Sequence, residues 1–171
     1  MKNNFFFLIF FVLIGCSPKT IIEEKISCPN VLFSDEHDYF VEASETTDIN
    51  NISYIAEINN FSFNSDCFIT DNMAYIDLSL LFIVNPINVA NSNIFLPFYI
   101  AIIDKKNELK DIQYYNISGN FKIDNETNLY VESELRKKIK FRLLHDDTRD
   151  ISADVLVVGF MLSKNQLEIL N

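Results

Sequence analysis

The stretch MAYIDLSLLFIV, Met73 to Val84, constrains the fold more than any other part of the chain. Ala74, Ile76, Leu78, Leu80, Phe82 and Val84 recur at every second position, and Tyr75, Asp77 and Ser79 fill the positions between them. Side chains along a strand alternate between two faces, so a period of two marks a strand with one buried face. A helix would space its apolar residues three to four apart. Leu81 and Ile83 interrupt the polar side, which predicts that the far end of this strand is covered on both faces. A strand of this length needs partners, and the rest of the chain reads as a supply of them.

CFIT precedes it, separated by Asp71-Asn72, a two-residue hairpin turn. ISYIAEINNFSF alternates loosely, with Tyr54, Ala56 and Ile58 on one face and Ile55 and Glu57 on the other. Asn85-Pro86 stops the long strand, because proline donates no ladder hydrogen bond. IFLPFYIAIID is a near-continuous apolar run, followed by the polar turn DKKNELKD. IQYYNISGNFKI and LYVESEL read as strands punctuated by DNET, and IKFRLL as a further strand. ADVLVVGFML closes the series, with Gly159 marking a bulge or a close approach. CPNVLF is a short first strand. The acidic stretch after it is mostly irregular, with brief pairing at Tyr39-Phe40-Val41. Ser163 with Gln166 three residues on is a capping-box pattern and predicts a short terminal helix. About seven to nine strands with so little helix point to an all-β fold. The expected architecture is an immunoglobulin-like antiparallel β-sandwich with a short C-terminal helix. A small β-barrel is the alternative.

The 171 residues are 49% hydrophobic and 22% charged, enough for one domain with a real core. The net charge of −10 opposes phosphate backbones, so no nucleic acid partner is expected. Three glycines leave little material for phosphate-cradling loops, and no Walker, G-x-G-x-x-G or H-E-x-x-H pattern occurs.

The amino terminus does not fit this fold. Phe5 to Ile14 is a run of ten apolar residues behind Lys2. A membrane span needs about 20, so the run has the length of a signal-peptide core instead. It ends in Leu13-Ile14-Gly15-Cys16, which resembles the lipobox of bacterial lipoproteins. The resemblance implies cleavage between Gly15 and Cys16 and lipidation of the Cys16 thiol. Residues 1–15 are then a signal peptide, 16–27 a lipidated tether and 28–171 a single β-sandwich domain. Ser17 after the cysteine favours the outer membrane, facing the periplasm. Two or three acyl chains would anchor the chain almost permanently. The negative net charge implies that lipid alone holds it there, without electrostatic adhesion.

Cys28 and Cys67 remain. An even pair in an exported chain reads as a disulfide. Two buried thiols, or a metal pair completed by the 2 histidines, are the other readings. The mature portion also resembles an uncharacterised family of alphaproteobacterial lipoproteins. The matching pieces are CPNV, ISYIAEI with a following cysteine, PFYIAIID and VLVVGFMLSKNQL. That resemblance implies an exported, lipid-anchored β domain with Cys28 paired to Cys67, and carries no activity.

Two acidic clusters hold the histidines: Asp35, Glu36, His37 and Asp38, and His145, Asp146, Asp147 and Asp150. The first offers ligands for a divalent cation and the second a His–Asp pair for base catalysis. Both read more simply as solvated loops in an acidic chain. Asn51, Asn60, Asn116 and Asn125 begin N-x-[ST] sequons, which read as chance in an Asn-rich sequence with a bacterial lipobox. Arg136-Lys137-Lys138 sits ahead of a strand and reads as a solvated lead-in that needs no function, with contact to lipid headgroups or an acidic partner as the other reading. The pairs Tyr114 with Tyr115 and Phe95 with Phe98 are expected in the core. The expectation is therefore no enzyme, cofactor or metal: a lipid-anchored envelope lipoprotein acting as a non-enzymatic interaction or structural module. Its partners would be membrane lipid through the acyl anchor and an envelope protein. Periplasmic small-ligand binding is the alternative, and a hydrolase using His37 or His145 the third reading.

Overall fold

A computed structural model describes residues 23–43, 51–144 and 151–170. The described residues form twelve strands: β1 Glu24–Ile26, β2 Asn30–Phe33, β3 Tyr39–Ala43, β4 Ile52–Phe63, β5 Cys67–Thr70, β6 Met73–Pro86, β7 Asn93–Ile103, β8 Leu109–Asn120, β9 Lys122–Ile123, β10 Tyr130–Val131, β11 Ser133–Leu144 and β12 Val155–Phe160. A 3-10 turn at Ile151–Ala153 precedes β12, and α1 (Lys164–Leu170) follows it. Seven strands have five residues or more (β3, β4, β6, β7, β8, β11 and β12), and the others are short edge or hairpin pieces.

The strands form a β-sandwich, not a closed barrel. In sheet A, β6 is the hub. β11 pairs along one side of it, from Leu144↔Met73 to Ser133↔Val84. β5 and then β4 share the other side, with β1 outside β5 and β3 outside β4. Sheet B has the order β2-β12-β7-β8. All of its pairs are antiparallel except β2 with β12, which run parallel from Asn30↔Val155 to Phe33↔Val158.

The alternation read from β6 is the structure's organising row. Ala74, Ile76, Leu78, Leu80, Phe82 and Val84 are all buried and face Leu96, Phe98, Ile100, Ile102, Leu156, Val158 and Phe160 of sheet B in one core. Rings join the two layers. Phe82 packs on Phe98 at 5.1 Å and on Phe160 at 5.8 Å, and Phe160 reaches Phe40 at 5.5 Å. Such pairs contribute roughly 0.5–1.5 kcal/mol beyond the area they bury. Leu81 and Ile83, expected under cover, are half-buried instead. Their cross-strand neighbours are Asn60 and Arg136, and Glu57 and Glu134, so they lie in a row of outward polar side chains.

The loose alternation of β4 has a cause. Register passes from Ile58↔Phe82 to Asn60↔Leu81, leaving Asn59 as an extra residue. The bulge shifts the phase by one, so Tyr54, Ala56 and Ile58 face inward before it and Phe61 and Phe63 return to that side after it. The Asp71-Asn72 turn has φ of 49° and 60°, the paired left-handed conformation that matches strand twist. Ser163 and Gln166 close a capping box: the Ser163 amide donates to Gln166 Oε1 (2.8 Å) and the Gln166 amide to Ser163 Oγ (3.3 Å). The Gln166 side-chain amide also donates to the Val41 carbonyl (2.7 Å), pinning α1 to β3. Gly159 marks a close approach without a bulge. A Cβ there would lie 2.7 Å from the Tyr99 hydroxyl and 2.9 Å from His37 Cβ.

Three expectations change. Glu24–Ile26, inside the span read as a 16–27 tether, is a strand paired with Ile69–Cys67 of β5. The backbone of β1 completes that sheet edge, which its polar sequence hid. Arg136-Lys137-Lys138 is not a lead-in but lies inside β11, continuous with the IKFRLL segment. The aromatic pairs divide: Phe98 is fully buried and Tyr115 stacks on it at 5.5 Å, while Tyr114 is 65% and Phe95 52% exposed. Adjacent residues, and residues three apart, must point to opposite faces of a strand, so neither pair can be wholly core.

Candidate functional site

Cys28, just before β2, is bonded to Cys67 at the start of β5, with Cα atoms 5.2 Å apart. The bond ties the entry of sheet B to the β1–β5 edge of sheet A. Cross-linking across a separation of 39 residues stabilises by about 4 kcal/mol in the chain-entropy account. Gly15 and Cys16 lie outside the described residues, as do His145, Asp146, Asp147 and Asp150.

His37 is half-buried in a turn laid over the outer side of sheet B. Its Nδ1 donates to the Phe160 carbonyl (2.9 Å), and the Phe160 amide donates to the His37 carbonyl (2.7 Å). Its ring meets the Tyr99 ring edge-on at 5.9 Å. The side chain fastens a loop to the closing strand. Asp35 and Glu36 stand in solvent beside it, and among the described residues no three His, Cys, Asp or Glu side chains converge as metal ligands. Asn51, Asn60, Asn116 and Asn125 are exposed.

Two concavities lie among the described residues. One is a groove of about 230 Å³ on the outer face of sheet A, bounded by Ser65, Phe68, Tyr75, Asp77, Lys140 and Arg142. Strand register builds it. Phe68, Tyr75 and Arg142 are successive cross-strand partners on β5, β6 and β11. Phe68 stacks on Tyr75 at 5.1 Å with only 7° between the rings, and the Arg142 guanidinium lies 5.3 Å from the Tyr75 centroid. Asp77 is held by Asn64, whose Nδ2 donates to the carboxylate at 2.7 Å. The alternation of β11 puts Arg136, Lys138, Lys140 and Arg142 on the same outer face, while half-buried Lys137 points inward with Ile139 and Phe141.

The second is a hollow of about 240 Å³ at one end of the sandwich, lined by Glu42, Ser53, Tyr54, Val89, Asn91 and Phe95, among others. The Tyr54 hydroxyl donates to the Phe95 carbonyl (3.0 Å) and accepts from the Phe95 amide (3.1 Å), bridging β4 to β7. Burial raises the Tyr54 hydroxyl pKa, with the Phe95 bond opposing. Partial burial likewise pushes the Glu42 carboxyl up. The sequence carried no sign of this clamp, because its two strands are distant in the chain and belong to different sheets. The Tyr75 platform was half legible, in the outward alternation of β6, but its partners depend on register.

No protein-family model, no curated protein and no solved structure matches the chain.

Proposed function

We propose that the chain is an exported envelope lipoprotein, lipidated at Cys16, whose β-sandwich acts as a non-enzymatic interaction or structural module. The observation that carries this reading is the Cys28–Cys67 bond. A disulfide of this kind persists in oxidising compartments, outside the cytosol. Pairing these two leaves Cys16 as the third of the chain's 3 cysteines, placed where the apolar run ends. The proposed address is the outer membrane, facing the periplasm, after Ser17.

The non-catalytic reading is supported by how His37 is used, with Nδ1 committed to a backbone carbonyl. Protein docking is supported by β11, a twelve-residue strand that among the described residues pairs on one side only, to β6. Long open edges suit strand addition by a partner. For the small-ligand alternative, the two concavities described above fall below the roughly 300–1,000 Å³ of small-molecule sites. Mass spectrometry of the mature amino terminus tests the reading. Lipid mass on Cys16 is expected, and a chain that keeps Met1 refutes it. Crosslinking in intact cells should recover a recurring protein partner, and recovery of lipid alone would remove the docking part.

A further inference from the structure

We propose that the outer face of sheet A lies on the membrane surface, with Lys138, Lys140 and Arg142 against anionic phospholipid headgroups. This rests on the anchor reading above and states how the domain is oriented once Cys16 is in the bilayer. Lys138, Lys140 and Arg142 are exposed and lie on one side of β11, about 7 Å between successive residues. Glu134 pairs with Arg136 at 3.6 Å. Among the described residues no acid lies within ion-pair distance of Lys138 or Lys140. Asp77, opposite Lys140, is engaged by Asn64 instead. In a chain with 24 acidic against 14 basic residues, this strip is net positive even with Asp77 and Glu134 beside it. Such a strip complements a polyanionic surface.

The position of the strip favours a membrane over an acidic protein. Lys25, Phe68, Tyr75 and Arg142 form one continuous cross-strand row through β1, β5, β6 and β11. Three strand spacings put Lys25 about 14 Å from Arg142. Lys25 follows Cys16 by nine residues, which reach at most about 32 Å. The row therefore begins beside the point where the anchor leaves the domain. Tyr75 adds an amphipathic ring of the type that settles at headgroup level. This revises the expectation, drawn from net charge, that lipid alone holds the domain; the acids away from this face do not prevent contact. Sheet B lies about 10 Å behind sheet A, beyond the Debye length of about 8 Å, so the strip in contact dominates.

The test uses the full chain, expressed with its own amino terminus, recovered from membranes and reconstituted into vesicles. One set is phosphatidylcholine alone and the other contains phosphatidylglycerol. A water-soluble amine reagent followed by mass spectrometry reads each lysine separately. Lys138 and Lys140 should label roughly fivefold more slowly on the anionic vesicles, with the protection lost in high salt. Lys105 and Lys106, in the β7–β8 turn, should label equally on both. Arg136→Gln with Arg142→Gln should weaken the protection, with circular dichroism showing an intact fold. Equal labelling of Lys138 and Lys140 on both vesicles overturns the docking. Protection seen only in intact cells overturns it in favour of an acidic protein partner. Lipid mass on Cys16 with equal labelling removes the docking and leaves the anchor; a chain without lipid removes both.

Discussion

The outer faces of the two sheets are built from the same alternation and carry opposite chemistry. On sheet A, the outward positions of β11 are Glu134, Arg136, Lys138, Lys140 and Arg142, beside Asp77 and Ser79 of β6. On sheet B, no charged side chain occupies the outward positions of β7 from Phe95 to Ala101, of β12 from Val155 to Gly159, or of β8 from Ile112 to Ser118. Both inner faces are apolar and buried, so the core alone would not distinguish the sheets. The difference shows that outward composition here follows what each face meets. One face is open and cationic. The other is partly roofed by the His37 turn and by the close contact of Tyr99 with Gly159.

Removing the covalent tie between the sheets should have the largest effect. Cys28→Ser with Cys67→Ser is expected to cost about 2–4 kcal/mol in denaturant unfolding. Hydrogen exchange should show β1 and β5 opening ahead of sheet B, and uniform loss across both sheets would break the comparison. Gly159→Val probes the roofed face. Its side chain would displace Tyr99 or His37, costing about 1–3 kcal/mol. Lys138→Ala on the open face should stay within about 0.5 kcal/mol. Equal costs at these two positions would mean that the faces are not differently covered. Tyr114→Asp places a charge on the uncharged face. Exposed as Tyr114 is, the change should also stay within about 0.5 kcal/mol, and a larger loss would reveal a cover over sheet B.

Protons give the smallest and most local test, with opposite signs on the two sheets. In the β7–β8 turn Asp104 is held down to about 2, mainly by the Glu108 amide and then by Lys110. Its folded pKa is below its ordinary 3.8, so its contribution is present above 3.8 and is lost as pH falls toward 2. Asp104→Asn should flatten that acid limb of the stability curve. Glu42 on sheet A is raised above 4.5 by burial. Its contribution is present below 4.5 and is lost as pH rises through the elevated value. Glu42→Gln should therefore raise the melting temperature slightly at pH 7 and leave it unchanged near pH 3.

Local chemistry was readable wherever it is written in neighbouring residues. The β6 alternation, the Asp71-Asn72 turn and the Ser163–Gln166 cap each depend on side chains a few positions apart, and each formed as read. Features set by a distant strand were not readable. The bulge at Asn59 exists because β4 must keep both Ile58 and Phe61 against β6. The pairing of β1 comes from a partner more than forty residues away, and its own residues carry no apolar alternation. Of the candidate sites, the Cys28–Cys67 pairing was the favoured of three readings once the lipobox resemblance set Cys16 aside. The Tyr75 platform and the basic strip needed the register of three strands. Tyr114 and Phe95 were misread because aromatic content was weighed ahead of strand phase.

The parallel pairing of β2 with β12 joins segments that lie far apart in the chain. Asn30 waits for Val155, so the first strand of sheet B has no neighbour until nearly the whole chain has been made. Contacts this distant in sequence form late and slowly. Cys28 and Cys67 do not share that wait, because β1 beside Cys28 pairs with β5 beginning at Cys67, far earlier in the chain. What waits is the closing of sheet B, where the last strand lies between β2 and β7.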